Sequence, residues 1–289
     1  YGGQLLYEQF NFNSHATFRN NWQSGTGVTW NPYDVSNTSL RGAGSLRRPP
    51  GIGWTYYVNS DYRKKISAQL NLFKWWGFDN SMVMNSAGLT LNIVPFNALN
   101  ISIGGNYNRN WRRQDQYVSQ VTYNGSSRTI VAEVDQTTLR FTGRLTYNIT
   151  PDLTVQYYGQ PFITRPKYDH FAWVSNALAK DLDDRFTRFT PAQISFNNGT
   201  YFVDENGDGN TDYSFDKPDF NFVQFRSNLV IRWEYRPGSE FYLVWSQGNT
   251  ADAVDELDTP IFKSLFSNAF GGGNNRNIFL AKFTYRFLR

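Results

Sequence analysis

Apolar and polar residues take turns along most of this chain. In residues 228–247, NLVIRWEYRPGSEFYLVWSQ, every second position before the RPGS is apolar: Leu229, Ile231, Trp233 and Tyr235. Arg232 and Glu234 stand between them, and the alternation resumes after the turn with Phe241, Leu243 and Trp245. A period of two places successive side chains on opposite faces of an extended ribbon. Residues 54–73 read as one long strand, with Trp54, Tyr56, Val58, Tyr62, Ile66, Ala68, Leu70 and Leu72 on one face. Residues 99–111 set Leu99, Ile101, Ile103, Tyr107 and Trp111 against a run of asparagines, and 136–149 set Leu139, Phe141, Leu145 and Tyr147 against Arg140 and Arg144. The last segment alternates Phe279, Ala281, Phe283, Tyr285 and Phe287 with Lys282, Thr284 and Arg286.

The pattern predicts an all-β protein of about ten strands, at 4–21, 25–36, 53–75, 80–94, 98–122, 127–148, 152–163, 219–235, 239–247 and 276–289. Connections come in two styles. PFNA (95–98), NITPD (148–152) and RPGS (236–239) are short and marked by Pro, Asn and Gly. The stretches about 165–218 and 248–275 are long and polar. Strands far longer than the usual five or six residues, with short turns at one end and long loops at the other, predict a transmembrane antiparallel up-and-down β-barrel over residues 1–289. On this reading both ends of the chain fall on the short-turn side, and LRGAGSLRRPPG (40–51) is an over-long connection there. The competing reading of the alternation is a soluble sandwich, but sandwich strands are shorter and seldom carry Arg at alternate exposed positions.

Composition sharpens the choice. Aromatics make up 18% of the 289 residues, yet mean hydropathy is −0.55. No run approaches the roughly 18 apolar residues of a membrane-spanning helix. There is no cysteine, which suits an envelope protein. A net charge of +4 is too small to imply nucleic acid as a partner. No secretory signal stands at Tyr1, so the expectation is that one was removed or that the chain starts mid-protein. In a barrel the apolar face meets lipid and the polar face lines the lumen. Arg63, Lys65, Arg112, Arg140, Arg144, Arg226, Arg232, Lys282 and Arg286, with Glu234 among them, then read as lumen-lining. Such charges either favour anions in an open lumen or pair with one another and with plug residues. Trp75, Trp76 and Trp245 at the far rim, and Trp233, Tyr235, Tyr285 and Phe287 near the short turns, read as aromatic girdles.

One loop carries metal-ligand spacing. In DENGDGNTD, Asp204, Asn206, Asp208, Asn210 and Asp212 occupy positions 1, 3, 5, 7 and 9 of a calcium-loop pattern, with Gly209 at position 6. Position 12 is Phe215 rather than Glu. The loop is therefore either a calcium-stiffened extracellular segment or a solvated Asp/Asn/Gly hairpin tip. Catalytic signals are poor. His15 lies inward on the first strand and His170 in the long loop, neither in a nucleophile motif, and KDLDDR (180–185) and DAVDELD (252–258) have the spacing of solvated loops. Tyr168, Phe171 and Trp173 are loop aromatics that would stack on sugars, contact a protein or pack the loop down.

At SDYRKK (60–65), NALNISIGGNYN (97–108), VDQTTLRFTGRLTYNITPDLTVQYYGQPF (134–162) and NLVIRWEYRPGSEFYLVWSQ (228–247), the chain resembles the C-terminal barrel region of a poorly characterised, DUF5916-like family of Bacteroidota outer-membrane proteins. Members of that family pair a periplasmic carbohydrate-binding-type sandwich with a barrel longer than this chain, so the resemblance implies a strand total above ten. It carries no catalytic motif across. The expected partners are the lipid bilayer with lipopolysaccharide, and other outer-membrane proteins or lipoproteins. The expected role is a non-enzymatic channel, or a structural or accessory subunit of an envelope complex, in the bacterial outer membrane. The alternatives are a glycan-handling surface protein and an outer-membrane hydrolase.

Overall fold

The computed structural model describes residues 5–271 and 273–287. Its strands are β1 (Tyr7–Thr17), β2 (Gln23–Ser36), β3 (Leu46–Arg48), β4 (Gly51–Asn59), β5 (Ile66–Gly77), β6 (Val83–Phe96), β7 (Leu99–Tyr123), β8 (Ser126–Thr150), β9 (Leu153–Val174), β10 (Phe186–Arg188), β11 (Ile194–Asn197), β12 (Thr200–Val203), β13 (Tyr213–Asp216), β14 (Phe222–Arg236), β15 (Ser239–Asp252) and β16 (Asn274–Phe283). Two helices, α1 (Leu182–Arg185) and α2 (Ile261–Gly271), lie in connections, and no described helix is long and apolar enough to cross a membrane. One antiparallel sheet runs β1-β2-β4-β5-β6-β7-β8-β9-β14-β15-β16, with β3 paired to β2 and β10 to β9; β11-β12-β13 form a second, small sheet.

The register keeps the two faces distinct across this path. Leu139 pairs with Ile163, Ile163 with Val223, and Val223 with Ala251, all on the apolar face. On the polar face Ser102 pairs with Arg144, Arg144 with Tyr158, and Tyr158 with Asn228. No second sheet covers the apolar rows: Leu89 is 48%, Ile103 54% and Phe279 70% exposed. The sandwich reading, which needs those rows buried between two sheets, does not describe this chain. Among the described residues no pairing joins β1 to β16, so the sheet does not close into a barrel.

The single strand read over 53–75 is two strands. The segment turns at SDYRKK, and β4 pairs with β5 as a hairpin. Val58 faces Leu70 and Tyr56 faces Leu72, so the apolar positions keep their parity through the turn and the break leaves the alternation intact. Asp61 builds this turn: its carboxylate accepts from the Arg63 backbone N–H, Nε and Nη2, each at 3.0 Å. Ser60 Oγ accepts the Ala68 N–H at 2.7 Å.

The additional turn changes the polarity of the whole meander. The LRGAGSLRRPPG connection now falls on the same side as the long loops, which removes the anomaly of the sequence reading. The chain enters β1 from the long-connection side, which corrects the placement of that end, and leaves β16 on the short-turn side as expected. The two edge strands therefore run in the same direction. Other boundaries move as well. The strand read as 152–163 continues to Val174, so Tyr168, His170, Phe171 and Trp173 lie on β9, not in a loop. The strand read as 239–247 continues to Asp252. Residues 4, 288 and 289 of the first and last readings lie outside the described residues.

Three buried clusters sit toward the long-connection end. Leu40, Leu46, Val131, Ala172, Leu182 and Phe186 form one. Ile130, Ala132, Phe171, Val203, Tyr213 and Phe215 form another, on the opposite face of the projecting β8–β9 tip. Leu139, Ile163, Val223, Ala251, Leu265 and Ala269 belong to the third, where α2 lies on the apolar face of the sheet. The adjoining β7–β8 hairpin ends in an Asn124-Gly125 turn with both residues at positive φ, the geometry that a tight two-residue hairpin requires.

The Asp61 turn generates a pH prediction. Side-chain hydrogen bonding from Arg63, reinforced by its backbone N–H, pushes the Asp61 carboxyl down to about 2. The folded-state value lies below that of an unfolded aspartate, so the stabilisation is complete above about pH 4 and is lost as pH falls through 2. Asp61→Asn is expected to unfold at lower temperature than the parent at neutral pH, with the gap closing toward pH 2, as measured by circular dichroism in detergent. An equal gap at both pH values would refute this account of the turn.

Candidate functional site

The polar face of the sheet carries the residues expected to line a lumen. Arg140 stands opposite Asn106, and Arg144 opposite Ser102. Gly88, Gly104, Asn71 and Thr90 complete a hollow of about 290 Å³ beside them. The space exists because this part of the face is built from glycine, serine and asparagine. A larger hollow of about 810 Å³ is lined by Arg226, Asn228, Ser246, Thr250, Asn274 and Arg276. Arg226, Gly248 and Arg276 are linked by register across β14, β15 and β16. The only charged residues lining either hollow are arginines. Among the described residues Arg140, Arg144, Arg226 and Arg276 form no ion pair. Arg144 lies 4.9 Å over the Tyr158 ring.

Other members of the expected set sit elsewhere. Arg63 and Lys65 belong to the 60–65 turn, with Arg63 bound to Asp61. Arg112 is at a bulge with φ 57°, its guanidinium 4.4 Å over Trp111 and hydrogen-bonded to Asn80. Arg232 is on the polar face but neutralised: its Nε donates to Glu240 at 2.9 Å, and Glu234 lies 3.5 Å away. Lys282 faces Tyr242 across β15 and β16. The Arg286 backbone N–H donates to Ser239 Oγ beyond the end of β16. Arg276, which the sequence reading missed, precedes the alternation counted for the last strand.

The aromatics divide likewise. Trp75 faces the polar side, packed where Gly51 and Gly53 leave no side chain; a Cβ on Gly51 would come within 2.5 Å of its ring. Trp76 faces the apolar side with Lys74 4.9 Å over it. Register puts it on a continuous row: Phe10 opposite Trp30, Trp30 opposite Ile52, Ile52 opposite Trp76, Trp76 opposite Val83, and Val83 opposite Trp111. Trp30 and Trp111 escaped the sequence reading of this row, although their parity would have assigned them to it. Trp245 lies mid-strand rather than at a rim, stacked on Phe279 and donating to Asn277. At the short-turn end Trp233, Tyr235 and Phe283 are in ring contact, and Tyr285 meets Phe287.

The long-connection end of the polar face is roofed. Leu182 of α1 and Arg48 beside β3 meet Asn31, Trp75 and Asp115 around a cavity of about 30 Å³, room for one water. Arg48 bridges Asp34 at 3.2 Å and Asp115 at 3.5 Å, and Arg113 holds Asp115 at 2.9 Å. Arg185, fully buried, donates to the carbonyls of Ala179 and Lys180, and burial lowers its pKa.

The calcium-pattern loop joins β12 to β13. Asp204 accepts from the backbone N–H groups of Gly207, Asp208 and Gly209, and Asp212 accepts from those of Glu205 and Asn206. Asn206 and Asp208 accept from the backbone N–H two residues on. These bonds fold the tip with its own amides, the last of them donated by Asn210. Phe215, at position 12, is buried in the apolar cluster and supplies no ligand. Among the described residues no group of three or more His, Cys, Asp or Glu gathers as a metal set. Beneath the tip, Glu205 meets Arg128 at 3.2 Å and accepts from the Tyr213 hydroxyl at 2.6 Å. Burial, reinforced by Glu205, raises the Tyr213 pKa. His170, at φ 50° on β9, is near Asp169 and Glu133, and His15 is on the polar face of β1. No described hydroxyl is hydrogen-bonded to either imidazole.

A model of the family described as Domain of unknown function (DUF5916) matches residues 3–288. No curated protein and no solved structure matches the chain.

The β12–β13 tip gives a second prediction. Asp204→Ala leaves three N–H groups without their acceptor, so amide exchange at Gly207, Asp208 and Gly209 should accelerate about tenfold while exchange in β7 and β8 stays unchanged. Hydrogen–deuterium exchange read by mass spectrometry checks this; unchanged exchange at the tip would show that Asp204 does not hold it.

Proposed function

We propose that this chain, which belongs to the DUF5916 family, is the greater part of a non-enzymatic outer-membrane β-barrel that passes anionic solutes along its polar face. The observation that carries the reading is a sheet whose main path runs through eleven strands, with an apolar face exposed outside the patch under α2 and a polar face whose hollows are lined by arginines. Water is a poor solvent for the first, and contiguous exposed apolar surface marks a membrane or protein contact. From Phe225 to Tyr235 the apolar positions of β14 cover about 25 Å of height for a strand tilted by roughly 40°, the thickness of an outer-membrane apolar band. Tryptophans flanked by Lys74, Arg109 and Arg112 suit the headgroup level, where rings and cations meet phosphates.

Strand direction sets what closure requires. In lipid an unpaired sheet edge leaves backbone groups without partners at a cost of several kcal/mol each. Because β1 and β16 run the same way, an all-antiparallel barrel requires an odd number of further strands between them, whatever chain supplies these. The fixed charge of Arg140, Arg144, Arg226 and Arg276 favours anions, and the roof of α1 and the 37–50 connection narrows the loop-side mouth. Calcium on Asp204, Asn206, Asp208, Asn210 and Asp212 belongs to this proposal as a stiffener of an extracellular loop and takes part in no transport step. Calcium added after chelation should slow exchange at Gly207–Gly209, and no slowing would remove it from the picture.

The test uses the intact protein that contains this chain. Outer-membrane fractionation should recover it with the bilayer. In planar bilayers under a KCl gradient its reversal potential should indicate chloride over potassium. Arg140→Glu combined with Arg144→Glu should move that potential toward potassium by a factor of about 3–10 in permeability ratio. Correct insertion without conductance would overturn the channel and leave the structural-subunit reading; loss from the membrane fraction would overturn both.

A further inference from the structure

The segment between β15 and β16 is not a solvated loop. Its helix, α2, follows Pro260, a residue suited to a helix start, and lies on the apolar face of the sheet. Leu265 and Ala269 pack onto Leu139, Ile163, Val223 and Ala251. Side chains from the sheet clamp it there. Asn221 Nδ2 donates to the Ala253 carbonyl and to Ser264 Oγ. Asn249 Nδ2 donates to the carbonyls of Asn268 and Ala269. Arg165 Nη1 donates to the carbonyls of Leu257 and Thr259, and Lys167 bridges Asp258 at 2.6 Å. Helix and approach are thereby fixed on β8, β9, β14 and β15.

With the helix so held, Phe262, Phe266 and Phe270 form a stripe at four-residue spacing that remains 54%, 47% and 58% exposed. The stripe has a direction. Its rings touch Phe141 and Phe225, each one same-face step further toward the short-turn end than Leu139 and Val223, on which the helix sits. Arg165 and Lys167, which bind the preceding connector, lie further toward the long-connection end. Moving along the apolar face, one meets cations and carbonyls, then the helix, then three phenylalanines, then the uncovered aliphatic rows. On β1–β7 an aromatic row of Phe10, Trp30, Trp76 and Trp111 lies two same-face steps further toward the long-connection end than Tyr107, the register partner of Leu139. The row under α2, Leu139–Ile163–Val223–Ala251, has no aromatic residue.

We propose that α2 is an in-plane interfacial helix, its Phe262–Phe266–Phe270 stripe inserted among the lipid acyl chains of the outer leaflet, where it supplies the aromatic rings that the row beneath it lacks. The proposal rests on the outer-membrane reading. Lipid is the occupant because the stripe is continuous with the face assigned to lipid: Phe141 and Phe225 belong to both. Lys263, on the flank away from the sheet, is placed for the headgroup side, as in helices that lie in a bilayer interface.

This chain holds no cysteine, so single-cysteine nitroxide labelling of the intact protein in lipid vesicles, with any cysteine outside the chain replaced by serine, tests the proposal. Phe266→Cys and Phe262→Cys are the test positions, Lys263→Cys the headgroup-side position, and Ile103→Cys the mid-strand control. Oxygen should relax the labels at 266 and 262 more than a water-soluble nickel chelate does, with a depth shallower than at 103; the label at 263 should favour nickel. Access to nickel at 266 and 262, with 103 still reporting lipid, would overturn the proposal and leave the barrel standing. Immobile labels open to neither quencher would also overturn it, in favour of a protein partner. Nickel access at 103 would overturn the membrane reading itself.

Discussion

The ladder register carries this structure. Rungs such as Leu139–Ile163–Val223–Ala251 match apolar with apolar on one face, and rungs such as Ser102–Arg144–Tyr158–Asn228 match polar with polar on the other. A slip by one residue in any strand would exchange its two faces. That constraint turns a polar, aromatic-rich chain into a sheet of two unlike surfaces, and the site follows from it. Arg140, Arg144, Arg226 and Arg276 come from three sections of sequence far apart, yet share one face because no register shift interrupts the rungs between them.

The same constraint explains what the sequence disclosed. Strand existence and facing were legible wherever alternation ran unbroken, as in β7, β8 and β14. The turn at Asp61 was not, because a connection that preserves parity leaves no trace in a period-two count; only its SDYRKK chemistry marks it. Conversely, β9 beyond Ile163 was read as loop because Pro166 and the backbone irregularity at His170 interrupt the alternation while the pairing with β8 persists. Trp75 and Trp76 read as one pair, although adjacent strand residues must point to opposite faces. The helix α2 was hidden inside a polar excursion, yet Phe262, Phe266 and Phe270 already carried a helical spacing. Arg276 was missed for a simpler reason: the asparagines around it weaken the start of the last strand.

The long-connection end obeys different rules from the sheet. There the chain buries both faces of the β8–β9 tip, surrounds Asp115 with Arg48 and Arg113, and seals Arg185 against carbonyls. Each charge is paired or hydrogen-bonded, as burial demands. The polar face below spends no carboxylate on its four unpaired arginines. The contrast separates a region whose charges hold structure from one whose charges are left facing solvent.

The shared direction of the two outermost strands has a consequence for self-association. Copies inserted the same way up can meet edge to edge only with their border strands running alike, whichever border each presents. The tight antiparallel ladder that holds the sheet together is then unavailable between copies, and only the less stable parallel pattern remains. Strand polarity thus discourages lateral polymerisation of a surface that, by exposed backbone alone, would invite it.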